Sequence, residues 1–388
     1  MFETTLKSKR GDSRIIAGTG LLARAGDTIA ANCANVRRVF IAADENAAKL
    51  HLPTLQASFD AAKIHHSSCI IPAGEESKSL TGLSRLWEEF NKAGITRSDL
   101  IVAFGGGVTG DLTGFAAATW LRGVPIVQIP TTLLAMVDSS IGGKTAIDLP
   151  SGKNLAGAFH QPDLVLIDPA LLSTLPANRF AEGMAEVIKY GCIMDAQLFA
   201  QLETLGNELQ SAATIPSANS SNSTLESIIC RCAQIKAEVV SRDEFDTGER
   251  MLLNFGHTFG HALEKVLGYG AISHGEAVAI GMVAAAKTGE KLSLTPAGTA
   301  KQIASLLKLF SLPTTIEEFK TAHALNDYSN ACECTQDHAS MANALTEAMM
   351  ADKKNMSGNI HLILLNKIGS ATTVPTAVAK LRETFAWQ

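Results

Sequence analysis

No apolar run in this chain is long enough to cross a bilayer as a helix, so no membrane partner is expected. Its first residues, MFETTLKSKRGDS, carry basic side chains but no apolar core leading to a small-residue cleavage site. No secretory leader is expected there. Positive charge is not in surplus either: the net charge is −5, which gives no electrostatic case for nucleic acid. An anionic substrate would need a local cluster of Lys and Arg. The 7 cysteines are odd in number and scattered, and Cys230/Cys232 and Cys332/Cys334 are spaced CxC, not CxxC. Free thiols in a reducing cytoplasm are expected, not a disulfide framework. Two nucleotide fingerprints are missing as well. The glycine-rich run GGGVTGD, from Gly105 to Asp111, is neither GxGxxG nor the lysine loop of a phosphate-binding NTPase.

What is present reads as a globular chain of two domains: 388 residues, 46% hydrophobic and 18% charged. Asn35 to Ala43 (NVRRVFIAA), Ser68 to Ile71, Asp99 to Phe104 (DLIVAF), Pro125 to Pro130 and Asp163 to Ile167 read as strands. Helical spacing separates them over Ala47 to His65, where Pro53 interrupts, over Thr81 to Ala93 and over Gly110 to Trp120. This alternation predicts an α/β domain with a mostly parallel sheet over 1–174. From about Leu175 the pattern turns to Ala- and Leu-rich helices, which predicts an all-α domain over 175–388. Ser211 to Ser227 reads as a surface loop, and a late hairpin is expected near Asp352, turning at Gly358.

Chemistry-bearing residues gather in three places. Ligands of parallel sheets sit beyond the carboxyl ends of strands, where Asp44, the glycine run, Thr131 and Thr132 fall. GGGVTGD either cradles a phosphate at a helix N-terminus or makes a tight strand-to-helix turn. Lys144 and Lys153 follow in Gly-rich loops, placed for an anion or simply solvated. In LLNFGHTFGHALEKVLGYGAISHGEAVAIG, His257 and His261 share a helix face, and His274 opens the next apolar run. Glu186 and Lys189, in GMAEVIKYG, share another face. Imidazoles with one carboxylate suit zinc.

The string GGGVTGD, IPTTLLAMVDSSIGGKTAID, SGKNLAGAFHQP, AEVIKYG, LLNFGHTFGHALE and HGEAVAIGM closely resembles the 3-dehydroquinate synthase family, in order and over nearly the whole chain. The resemblance implies a Rossmann-like domain and a helical domain with the active site in the cleft between them. It implies NAD used catalytically, a divalent metal (zinc or cobalt), and a homodimer in the cytoplasm. The reaction implied converts 3-deoxy-D-arabino-heptulosonate 7-phosphate to 3-dehydroquinate and phosphate. It proceeds by transient oxidation, phosphate elimination, reduction, ring opening and aldol closure.

Carried over by motif, the implied metal ligands are Glu186, His257 and His274, with His261 moved to the substrate. The implied NAD contacts are Asp44, Asn46, Glu75, Lys78, Gly106, Gly107, Val108, Asp111, Thr131, Thr132, Ser139, Lys144, Lys153 and Thr174. The implied substrate and catalytic residues are Asp138, Lys144, Asn154, Lys189, Lys236, Arg250, Asn254, His261 and one of Lys353 and Lys354. Arg122 is the residue expected to reach across a subunit interface. One departure is plain: Asp246 stands where many members carry Glu, one methylene shorter. The rival expectations are another sugar-phosphate cyclase, a metal-dependent polyol dehydrogenase, or a non-catalytic NAD-binding paralogue.

Overall fold

Strands that are buried on both faces run as continuous apolar segments, and the centre of this fold is built from three of them. The computed structural model describes residues 1–9, 11–33, 36–212, 221–323, 338–350 and 359–377. The chain divides into two units, Met1–Phe180 with Pro216–Asp246, and Ala181–Ile215 with Thr247–Gln388.

The first unit runs β1 (Phe2–Leu6), β2 (Ser13–Ala17), α1 (Ala25–Asn32), β3 (Arg38–Asp44), α2 (Glu45–Ala61), β4 (His65–Ile71), α3 (Leu80–Lys92), β5 (Leu100–Gly105), α4 (Gly107–Thr119), β6 (Ile126–Pro130), β7 (Lys144–Leu149), β8 (Gly152–Phe159) and β9 (Leu164–Ile167). Its seven-stranded sheet has the order β1-β2-β9-β6-β5-β3-β4. Only the edge pair β1/β2 is antiparallel; every other neighbour is parallel. Every residue of β5, β6 and β9 is buried. Phe90 of α3 meets Phe40 of β3 edge to face at 5.0 Å, and Leu83, Leu86, Leu112 and Ala116 close α3 and α4 over the same face.

The second unit takes in α5 (Ala177–Ile193), whose first turn starts in the first unit, and α6 (Ala196–Ala212). The next helix, α7 (Ser221–Arg242), belongs to the first unit and packs on β1 and β2. The second unit then continues with α8 (His257–Leu267), α9 (His274–Lys291), α10 (Thr299–Leu309), α11 (Ile316–Ala322), α12 (His338–Met350) and the antiparallel pair β10 (Asn359–Lys367) and β11 (Ser370–Ala377). No described helix is long and apolar enough to cross a membrane.

Several expectations need revision. A single boundary after residue 174 does not describe the chain, because α7 returns to the first unit. Among its described residues the helical unit carries one hairpin besides its helices, and that hairpin turns at Gly369 (φ 82°); Gly358 lies outside the described residues. The expected loop Ser211–Ser227 is helical at both ends, in α6 and α7, and 213–220 are not described. Pro53 does not interrupt α2. It lies on the exposed side, as does Lys49, so the Lys49 carbonyl that Pro53 cannot bond is left to water. Lys144 and Lys153 are not in loops: they lie in β7 and β8, an antiparallel hairpin. Cys33, Cys69, Cys192, Cys230 and Cys232 are free thiols, and burial pushes Cys69 and Cys230 up to about 11. Cys332 and Cys334 are outside the described residues.

Candidate functional site

On the first unit the sheet order reverses between β3 and β5. The chain leaves β3 outward to β4 and leaves β5 the other way to β6. The carboxyl ends of two such strands flank the crevice where open α/β sheets bind ligands. Asp44 ends β3 and caps α2, accepting from the backbone N–H of Asn46 at 2.9 Å and of Ala47 at 3.0 Å. Gly105 ends β5, Gly106 is the N-cap of α4, and Gly107 and Val108 form its first turn. A Cβ on Gly105 would sit 2.7 Å from Asp44 Cβ and 2.8 Å from Thr109 Cβ, so only glycine lets these strand ends approach. A Cβ on Gly107 would sit 3.1 Å from Ser139 Oγ. That hydroxyl is buried and has no hydrogen-bond partner among the described residues. Thr131 N–H donates to Gly105 O at 3.0 Å, and Thr132 Oγ1 accepts from Ala135 N–H at 3.2 Å. A helix N-terminus, an orphaned hydroxyl and close glycine backbone fit a pyrophosphate.

A second cluster surrounds Lys78. Its ammonium, only 4% exposed, lies 2.6 Å from Asp111, 2.5 Å from Asn154 Oδ1 and 3.9 Å from Glu75. Asn154, at φ 56°, donates its backbone N–H to Asp148 Oδ1 at 2.8 Å. Burial works against charge on Lys78, but the Asp111, Glu75 and Asp148 carboxylates together outweigh it and raise the ammonium above its usual range. Burial raises Glu75 against the pull of Lys153 and Lys78, and raises Asp111 against Lys78. Asn154, expected at the substrate, thus shares one network with Lys78, Glu75, Asp111 and Lys153, expected at NAD. Asp148, which the sequence reading did not single out, completes it.

Elsewhere on this unit, Lys236 of α7 donates to Asp138 Oδ1 at 2.7 Å and also to its carbonyl. Lys144 pairs with Asp246 at 2.6 Å, so the shortened carboxylate has a cation within reach. Thr174 Oγ1 lies 2.7 Å from His51 Nε2. Arg122 is exposed at φ 70°, next to Leu121 at φ 48°, a backbone conformation unfavourable to both side chains.

On the helical unit, α8 and α9 pack closely because Gly281 has no side chain: a Cβ there would fall 2.0 Å from Gly256 O. Gly275 does the same for the start of α9 against α5, where a Cβ would fall 2.5 Å from Glu182. Ser273 holds that start with a capping box to Glu276. His257 and His274 are the first residues of their helices, and Glu186 lies one turn beyond Glu182 on α5. The three therefore converge, with ligand atoms within 4.8 Å of one another. His257 Nε2 is 3.4 Å and His274 Nε2 3.5 Å from Glu186 Oε1. His257 Nδ1 lies 3.2 Å from Phe255 O, which places its proton there and turns the Nε2 lone pair inward. Lys189 pairs with the other oxygen of Glu186. Two imidazoles and a carboxylate, three donors in all, fit zinc or cobalt with a position left for substrate oxygen.

Without an ion the two rings differ sharply. Burial, with Lys189 adding to it against Glu186, pulls His257 down to about 3. Burial opposes charge on His274 too, but the Glu186 and Glu264 carboxylates outweigh it and hold that ring up to about 10. His261 is exposed on α8, its ring 5.4 Å from His257 and 6.0 Å from His274. His261, Glu264 and His274 make a second group of donor atoms within 4.8 Å. Arg250 is buried in the turn Glu249–Asn254 ahead of α8, and Asn254 Nδ2 donates to Met251 O at 3.1 Å. Lys353 and Lys354 lie outside the described residues. Glu264 was missed as a separate residue, although its place seven after His257 puts it on the same helix face.

Residues 68–182 match a family model described as 3-dehydroquinate synthase N-terminal, and residues 183–355 one described as 3-dehydroquinate synthase C-terminal. The chain belongs to the 3-dehydroquinate synthase family. The 3-dehydroquinate synthase of Clostridium perfringens (strain 13 / Type A) is 46% identical over 308 residues, 79% of each chain. That of Neisseria meningitidis serogroup C is 43% identical over 357 residues, 92% of this chain and 91% of the relative. Among solved structures, a 2-deoxy-scyllo-inosose synthase complexed with carbaglucose-6-phosphate, NAD+ and Co2+ is similar at a TM-score of 0.80 and 25% identity, covering 98% of both chains. ValA (2-epi-5-epi-valiolone synthase) from Streptomyces hygroscopicus, with NAD+ and Zn2+ bound, gives 0.79 and 26% over 97% of both. A probable glycerol dehydrogenase from Sinorhizobium meliloti 1021, at 17% identity and a TM-score of 0.57, shares the fold alone. The parallel-sheet unit and helical unit of this 3-dehydroquinate synthase family member are thus those of sugar-phosphate cyclases.

Proposed function

We propose that the chain is a 3-dehydroquinate synthase, a carbon–oxygen lyase that converts 3-deoxy-D-arabino-heptulosonate 7-phosphate to 3-dehydroquinate and phosphate. The observation that carries this is the convergence of Glu186, His257 and His274 beside a buried Lys189, in a chain of this family. Bound NAD+ supplies a hydride acceptor that later gives the hydride back, and bound zinc or cobalt, held by those three side chains, supplies Lewis acidity toward substrate oxygens.

The remaining roles fall to the protein's own groups. Asp44, Asn46, Gly106, Gly107, Val108, Thr131, Thr132 and Ser139 bind the dinucleotide at the β3/β5 switch point, and Thr174 adds a hydroxyl. Glu75, Lys78, Asp111 and Lys153 flank it. On the same unit Lys144 and Asn154 orient substrate, with Asp138 and Lys236 as a charge-balanced pair beside them. On the helical unit Lys189 presents a point charge and Arg250 a planar fork for substrate anions. Asn254 fixes a hydroxyl, and exposed His261 relays a proton at its imidazole. The leaving phosphate takes the C–H proton itself, so no protein base is assigned. We place the enzyme in the cytoplasm as a homodimer, with Arg122 reaching the partner's substrate. Nucleic acid and membrane are not proposed partners.

The test is phosphate release from the heptulosonate phosphate by protein stripped of metal and NAD+. Release that needs both NAD+ and added zinc or cobalt supports the reading. Release from glucose 6-phosphate instead, or none from the heptulosonate phosphate, overturns it.

A further inference from the structure

One buried charge beside the helical-unit centre has no part in the chemistry above. Glu264 lies on α8, 4% exposed, two turns beyond His257 and on the same face. A carboxylate is buried at a cost unless a cation or donor faces it. His274 faces it: Nδ1 of that ring is 3.6 Å from Glu264 Oε1, while Nε2 of the same ring is 3.5 Å from Glu186 Oε1. The imidazole is therefore bracketed by two carboxylates, one at each nitrogen.

We infer that Glu264 is a positioning residue: it fixes the tautomer and plane of His274 so that Nε2 presents its lone pair to the divalent cation. The inference rests on the ligand set proposed above. A carboxylate behind a ligating imidazole keeps the proton on the far nitrogen and makes the near one more basic. His257 is oriented differently, by the backbone carbonyl of Phe255 at its Nδ1. The two imidazoles thus have unlike supports, one charged and one neutral, and His274 is the more strongly donating ligand. Glu264 also carries negative charge into a centre where one ligand carboxylate, Glu186, already faces Lys189.

The experiment uses the full chain stripped of metal and titrated with Co2+ against a chelator, reading affinity and the visible cobalt spectrum, so no turnover is needed. Glu264→Gln keeps the shape and an acceptor oxygen but loses the charge. It should bind Co2+ about 10- to 100-fold more weakly, with an altered spectrum. Glu264→Asp, which restores the charge, should recover part of the affinity. Urea unfolding of the metal-free Glu264→Gln protein measures separately the stability lost with the Glu264–His274 ion pair, and cobalt affinities are compared where both proteins are folded. Parent-like affinity and spectrum in Glu264→Gln overturn the positioning role. Two cobalt ions per parent chain falling to one in Glu264→Gln also overturn it, making Glu264 a ligand. If His274→Ala retains parent affinity, the ligand set itself has failed, a different result from either.

Discussion

Lys189 and Glu186 form an ion pair one helical turn apart on α5, with side chains 1% and 0% exposed. Removing one member of such a pair leaves the other charged and desolvated. Lys189→Met should lower the stability of metal-free protein by about 3 kcal/mol. Added zinc should reverse much of this, because the cation replaces the ammonium as partner of Glu186. Urea unfolding with and without zinc checks it; equal losses in both would detach Lys189 from the metal centre.

The glycine run separates packing from binding. Gly105→Ala puts a methyl 2.7 Å from Asp44 Cβ, with backbone-anchored atoms on both sides, and should destabilise by roughly 1–3 kcal/mol. Gly107→Ala meets only the Ser139 hydroxyl, which can rotate away. It should fold nearly as well but bind NAD+ at least several-fold more weakly. Thermal unfolding and fluorescence titration with NADH distinguish the two.

Lys78 balances Asp111 and Glu75 from inside the first unit. Lys78→Met should cost about 3 kcal/mol, and Lys78→Met with Asp111→Leu should cost less than that single change, since no unpaired Asp111 charge then remains. Denaturant unfolding of the cycle measures the coupling. Additive losses would mean that the two charges act independently.

One pH dependence follows from Glu318. Its carboxyl is held down to about 2 by the hydrogen bond from Lys308 and by Thr314, against partial burial. The contacts are 2.7 Å to Lys308 and 2.9 and 2.7 Å to the Thr314 N–H and hydroxyl. A depressed folded pKa gives stability that is full above the unfolded value of 4.5 and lost as pH falls toward 2. Glu318→Gln should be less stable at neutral pH and show a shallower decline over that window. A parent-like acid slope would remove Glu318 from the account.

The parallel sheet was legible because β5 and β9 are unbroken apolar runs between punctuating residues, and the helical face of His257 and His261 because spacing alone places them. The β7/β8 hairpin was not, since Gly142, Gly143 and Gly152 around Lys144 and Lys153 look like loop residues until pairing is known. Nor was the return of α7 to the first unit: its opening residues read as a polar loop, and it packs on β1 and β2, more than two hundred residues earlier. Spacing paired His257 with His261. It took the approach of α9 to α5 through Gly275 to put His274 beside Glu186, a contact between distant segments that periodicity does not encode.

Reduced nicotinamide and phosphate, followed together during turnover of the heptulosonate phosphate, test the central claim most directly. Phosphate and dehydroquinate should form in equal amounts over many turnovers, with no accumulating NADH absorbance, because the hydride is returned. NADH rising in step with substrate loss would contradict it and make the chain a simple dehydrogenase.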